Sequence, residues 1–163
     1  MIFGMSVALF TTIHVIISLV AILAGFVVVF GMLRNQHSGL WAAIYLVLIA
    51  LTSLTGYPVP PLGWDPARTI GTISLVVIVV AIAALYVFRL TGIWRGVYVV
   101  TAIAALYLDC FVGCVQAFAK IAPLHALAPT QSSPAFAIAQ LVVLAVFVFV
   151  GYLGLKRFHP DAV

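Results

Sequence analysis

Five long apolar runs dominate the chain, and the first of them, residues 6–33, contains no Lys, Arg, Asp or Glu. At about 1.5 Å per residue, such a run coiled as a helix more than crosses a hydrocarbon core of about 30 Å, so it must tilt or protrude. A helix pairs its own backbone N–H and C=O groups, which is the condition for lying in lipid. The further runs cover about residues 40–55, 69–88, 97–121 and 135–155. The second is close to the minimum length for a span. It ends at Gly56, Pro58, Pro60 and Pro61, because proline cannot donate to the helix ladder.

Composition points the same way. Of the 163 residues, 66% are hydrophobic and 6% charged, where about 25% charged is usual for globular proteins. A water-soluble domain this poor in charge would lack a polar surface. The expected fold class is therefore all-α: a polytopic transmembrane helix bundle of five spans, forming one transmembrane domain over residues 1–163. The first ten residues carry no basic side chain and the first run is longer than the core of a signal peptide, so that run is expected to stay as a span.

The net charge of +4 comes from basic residues placed mostly just beyond the apolar runs, which is how topology signals and headgroup anchors are distributed. It gives no footprint for nucleic acid. Arg34, Arg89, Arg95, Lys156 and Arg157 fall on one side of a five-span arrangement, and Arg68 and Lys120 on the other. The positive-inside rule then predicts the N-terminus outside and the C-terminus in the cytoplasm. The two proline-containing loops, GYPVPPLGWDPAR (56–68) and APLHALAPTQSSP (122–134), would face outward, and RLTGIWR (89–95) would be a tight inner turn.

Few polar residues interrupt the spans, and these locate any chemistry. Asp109 lies near the middle of the fourth run, where an ionisable side chain costs about 2.5–3.5 kcal/mol and must face protein or water. At 100° per residue, Asp109, Gly113, Gln116 and Lys120 share one narrow stripe running toward the outer surface. The stripe is either an interhelical polar clamp, or a proton or ion relay or substrate-binding carboxylate in a cavity. On the first span Thr11, His14, Ser18 and Gly25 form a second stripe. His14 is an interface histidine, a partner for Asp109, a proton carrier, or a haem or metal ligand. The haem reading needs a second ligand, and His125, in a loop, is the one candidate on that side. His37 and His159 lie beside basic residues and are expected to be solvated.

Thr52, Ser53, Thr55, Thr69, Thr72, Ser74 and Gln140 also fall in the outer halves of their spans, whereas 27–30, 76–80 and 141–150 are almost purely aliphatic or aromatic. This asymmetry predicts an outward-facing polar cavity ending near Asp109 above an apolar inner half. Tyr57 and Trp64 suit the membrane interface, and His125 and Trp64 are candidate outer-loop contacts. Cys110 and Cys114 share a helix face as two small buried residues, with no further ligands nearby for zinc. The pattern leaves the cofactor unknown.

The segment YLDCFVGCVQAFAKIAPLHALAPTQSSPAFAIAQ (107–140) resembles a stretch of small bacterial inner-membrane proteins that have no assigned activity. The resembling elements are Gln116-x-Phe118-x-Lys120, the LAPTQ run 127–131 and the start of the last span at 134–140, with the loop 56–68 and RGVY (95–98) fitting the same pattern. The resemblance implies a multi-pass protein of the bacterial inner (cytoplasmic) membrane. Three functions fit these readings. The first is an accessory or scaffold subunit of a larger membrane complex, with the lipid bilayer and other membrane subunits or further copies of itself as partners. The second is a small transporter or proton-coupled carrier working through Asp109. The third is a membrane enzyme acting on a lipid or quinone, for which Asp109 is the one membrane carboxylate available.

Overall fold

A computed structural model of the chain describes residues 1–60, 63 and 65–160. Within them the architecture is all-helical, with no strands. Helix α1 is Val7–Leu33, α2 Gly39–Gly56 and α3 Pro66–Ile82, the last continuing through a π-helical turn at Ala83–Val87. Helix α4 is Ile93–Lys120, α5 the short Ala122–Leu127 and α6 Pro134–Arg157. Five of these segments, counting α3 together with its π turn, are long and apolar enough to cross a membrane. Their bounds fall within a few residues of the five apolar runs.

Local chemistry sets the starts. Ser6 accepts a hydrogen bond from Leu9 N at 3.2 Å, and Ser38 one from Trp41 N at 3.5 Å. Asp65 accepts one from Arg68 N at 2.8 Å, with Pro66 in the first turn, where its missing N–H costs nothing. Each cap satisfies a donor that the helix itself leaves free.

Helix α4 is the hub: α1, α3, α5 and α6 pack on it, and α2 touches it more lightly while packing along α1 and α3. The core is rich in alanine, with Ala21, Ala24, Ala42, Ala81, Ala84, Ala102 and Ala105 all buried around Tyr45, Ile49, Ile78 and Leu106. Small side chains let helices approach closely where lipid supplies no hydrophobic force between them. The Tyr45 hydroxyl, buried at the centre, donates to Ala102 O at 2.7 Å and fixes α2 on α4. The outer surface is apolar: Leu23 is 65% exposed, Val79 64% and Val148 63%. A surface of that kind has lipid as its natural solvent, and the bundle has the form of a multi-pass membrane protein.

Two boundaries differ from the sequence reading. The expected turn over 89–95 ends early, because α4 begins at Ile93 and takes Arg95 into its first turn. From there Arg95 Nη1 donates to Leu155 O at 3.1 Å and to Phe158 O, closing the carbonyl end of α6. The 122–134 loop is irregular only in its second half, its first half being α5. The odd number of alternating long helices puts the termini at opposite ends of the bundle. Arg34, Arg89, Arg95, Lys156 and Arg157 share the C-terminal end, and Arg68 and Lys120 the N-terminal end.

Gly25 permits the closest approach of α1 to the centre. A Cβ there would lie 2.6 Å from Leu106 Cδ1 and 2.8 Å from Tyr45 Cε2. The Tyr45 ring cannot retreat without breaking its bond to Ala102. Gly25→Val is therefore expected to destabilise the bundle by about 1–3 kcal/mol through overpacking. Gly39→Ala, where nothing lies within 4 Å, should leave thermal unfolding in detergent unchanged.

Candidate functional site

The stripe that buries Tyr98, Ala102 and Leu106 against the other helices leaves the core as α4 runs toward the N-terminal end. Asp109 is half-buried, and Gly113, Gln116 and Lys120 are exposed. Asp109 Oδ2 is buried with no hydrogen-bond partner among the described residues. Across from this stripe lies α1. Gly25 faces Leu106, and Ile22 approaches Gly113 at 3.9 Å from its Cβ position. Continued along two antiparallel helices, that register brings Ser18 level with Gln116, and His14 level with Lys120.

His14 is engaged elsewhere. Its Nδ1 lies 2.8 Å from Thr55 Oγ1. The single Thr55 hydroxyl proton has its shortest acceptor in Leu51 O at 2.6 Å, so the imidazole is the donor to Thr55 and Nε2 is left as an acceptor. Gln140 is also turned away from Asp109. It is buried on the seam between α4 and α6, where Nε2 donates to Phe111 O at 3.2 Å and Oε1 has no partner among the described residues. Asp109 and Phe111 point about 200° apart on α4, so the two polar groups serve different interfaces.

The hydroxyls account for much of the polar half. Thr11, Thr12, Ser18, Thr52, Ser53, Thr69 and Thr72 each donate to the carbonyl four residues back in the chain, at 2.8–3.1 Å. This back-bonding satisfies the hydroxyl proton within its own segment. It leaves Asp109 Oδ2, Gln140 Oε1 and Ser74 Oγ as the buried polar atoms with unmet demand toward this end of the bundle. Cys110 and Cys114 are free and half-buried.

Of the outer-loop candidates, Trp64 lies outside the described residues. His125 is exposed, with Nδ1 3.3 Å from Phe118 O. It lines a cavity of about 180 Å³ with Phe118, Thr130, Gln131 and Phe136.

Two further constellations were not visible in the sequence pattern. Arg68, read there as a topology charge, is buried to 8% exposure. It donates to Tyr57 O at 3.0 and 3.3 Å and to Val59 O at 2.7 Å, and it pairs with Asp65. Tyr57 in turn places its hydroxyl 2.6 Å from Thr72 Oγ1. The local signal was Asp-Pro-x-Arg, a capping aspartate three residues before a cation. The second lies at the C-terminal end, where a cavity of about 560 Å³ opens among Arg34, Gln36, His37, Trp41, Tyr98 and Phe158. His37 is accordingly half-buried and only partly open to solvent. Its ring stands against Tyr98 at 6.5 Å and Phe158 at 6.3 Å, and burial holds its pKa below the usual histidine value.

No family model matches the chain, and no curated protein or solved structure matches it.

The Arg68 cluster yields a direct expectation. Arg68→Ala strips the donors from Tyr57 O and Val59 O and should lower stability on the order of 2–3 kcal/mol. Arg68→Lys should recover only part of this, because an ammonium lacks the planar fork that reaches both carbonyls and the carboxylate. Thermal unfolding in detergent, with limited proteolysis of the 57–65 loop, measures both.

Proposed function

We propose that this protein is a small accessory subunit of a larger bacterial membrane complex, and that the polar stripe of α4 is the surface a partner completes. One observation carries the reading. Asp109 holds a buried carboxyl oxygen without a partner among the described residues and is followed by exposed Gly113 and Gln116, while the neighbouring hydroxyls are already committed to their own helices. Lipid satisfies neither a carboxyl nor a carboxamide. A partner helix laid on Gly113 comes close enough to supply donors to both, as small residues allow. The partner is another membrane subunit or a second copy of this chain.

In this reading the protein lies in the bacterial cytoplasmic membrane, with the end that carries Arg34, Arg89, Arg95, Lys156 and Arg157 inside. A second reading, a small proton-coupled carrier, is favoured by the register of α1 and α4. Ser18 and His14 beside Gln116 and Lys120 would form a polar lane from Asp109 to the membrane surface, and water would then supply the missing partners.

One experiment separates the two. In a Cys110→Ala/Cys114→Ala background, cysteines at 113, 116 and, as a control on the apolar face of α6, 148 are modified with a photoactivatable maleimide in native membranes. Positions 113 and 116 should cross-link to a discrete protein band that 148 does not produce. Reaction of 113 and 116 with a water-soluble maleimide, without any cross-linked band, would move the function to the carrier reading. Behaviour identical to 148 would defeat both. In the same background, a cysteine at His159 should react with an impermeant maleimide in inverted vesicles and not in intact cells; the reverse pattern overturns the orientation.

A further inference from the structure

A cavity of about 560 Å³ lies at the end of the bundle away from Asp109, within the range of small-molecule sites. The chain builds it deliberately. Helix α1 ends with Asn35 at φ +55°, a left-handed residue just past the helix terminus. Gln36 N then donates back to Gly31 O at 2.8 Å. A Cβ on Gly31 would lie 3.0 Å from Gln36 O, so the tight turn favours a glycine there. The turn carries Arg34, Gln36 and His37 over the mouth of the cavity.

The opposite wall is the C-terminal tail. Phe158 is fully buried, packed 6.2 Å from the Tyr98 ring and held by Arg95 through its carbonyl. His159 N donates to Asn35 Oδ1 at 2.6 Å, tying the tail to the turn. The α1–α2 turn and the tail thus enclose a space between them.

The lining has two characters. Its polar part is Arg34, Gln36, His37 and Ser38, with the fully buried Tyr98, whose hydroxyl has no partner among the described residues. Among the described residues no carboxylate lines it. Its apolar part runs one to two turns down α1 along Val27 and Phe30, which are 42% and 60% exposed on the bundle surface. Trp41, on the first turn of α2, is a further lining residue. A guanidinium attracts an anion, and an exposed apolar flank leading away from it suits a hydrocarbon chain. Tryptophan at a span end is typical of headgroup depth.

We propose that this cavity is a binding site for one anionic phospholipid. The headgroup phosphate pairs with Arg34 and accepts hydrogen bonds from the turn, and an acyl chain lies along Phe30 and Val27. The site is separate from the α4 stripe, and neither proposal depends on the other.

The test uses the full-length protein purified in detergent and stripped of endogenous lipid. Native mass spectrometry reads the occupancy of a single site by dioctanoyl phosphatidylglycerol, dioctanoyl phosphatidylcholine or inorganic phosphate. The expected result is one phosphatidylglycerol per chain, bound about ten-fold tighter than phosphatidylcholine, the scale of one charge-assisted contact, and not displaced by millimolar phosphate. Arg34→Gln should abolish that preference. Arg157→Gln, an exposed cation at the same end but outside the cavity, should retain it. Equal binding of the two lipids, displacement by inorganic phosphate, or an Arg34→Gln protein with its preference intact would each overturn the proposal.

Discussion

A polar group inside a lipid-wrapped bundle must find its partner within protein, and this constraint organises the molecule. The helices meet it for their backbones. Most serines and threonines of the spans meet it by bonding to their own segments, although Thr55 also meets His14 of α1 and Ser74 Oγ has no partner among the described residues. Cohesion comes instead from alanine-rich packing around α4 and from a few specific polar contacts. Tyr45 reaches the backbone of α4 at the centre, and His14 joins α1 to Thr55 of α2. Arg68 and Arg95, at opposite ends, gather carbonyl oxygens that helix and loop geometry leaves exposed. Each arginine uses the several donors of one guanidinium to close a place where the chain changes direction.

The same constraint explains what the sequence could and could not disclose. Span positions were legible because the length of an apolar run is fixed by bilayer thickness. The Ser6, Ser38 and Asp65 caps only refine the ends. The rotation of each helix about its axis was far less legible. Helix α4 has a distinct polar stripe, so grouping Asp109, Gly113, Gln116 and Lys120 on one face followed from angular spacing alone. Helices α1 and α6 are apolar nearly all round, and nothing local dictates which face turns inward. Gln140 could therefore be placed by depth beside Asp109, although the fold turns it to the far side of α4. His14 stood open among an interface contact, a partnership with Asp109, proton carriage and haem or metal ligation, and spacing could not say that a threonine on a neighbouring helix is its partner. Long-range contacts of this kind have no signature in spacing.

The loop chemistry was hidden for a related reason. Arg68, Arg95 and His37 all read as charges or solvated groups beside a membrane, which is the ordinary reading of such residues near span ends. Their burial depends on how the ends of other helices converge. Arg95 meets the tail only because α4 starts earlier than its apolar run does, and His37 is covered only because Phe158 folds back across the bundle end. A basic residue at a span boundary can be a topology signal and a structural staple at once.

The two ends of the bundle consequently divide their labour. Toward the N-terminal end, polar demand is lateral: the α4 stripe is exposed along the side of the helix, and Asp109 Oδ2 lacks a partner among the described residues. Completion there requires a neighbour of similar depth, or water admitted along α1. Toward the C-terminal end, the demand is axial and enclosed, with the turn after α1 and the folded tail bounding a space between cationic and apolar walls. The two proposed binding events use different surfaces of the chain, one on its flank and one at its end. Both draw on the same property, polar groups that the fold positions but does not itself satisfy.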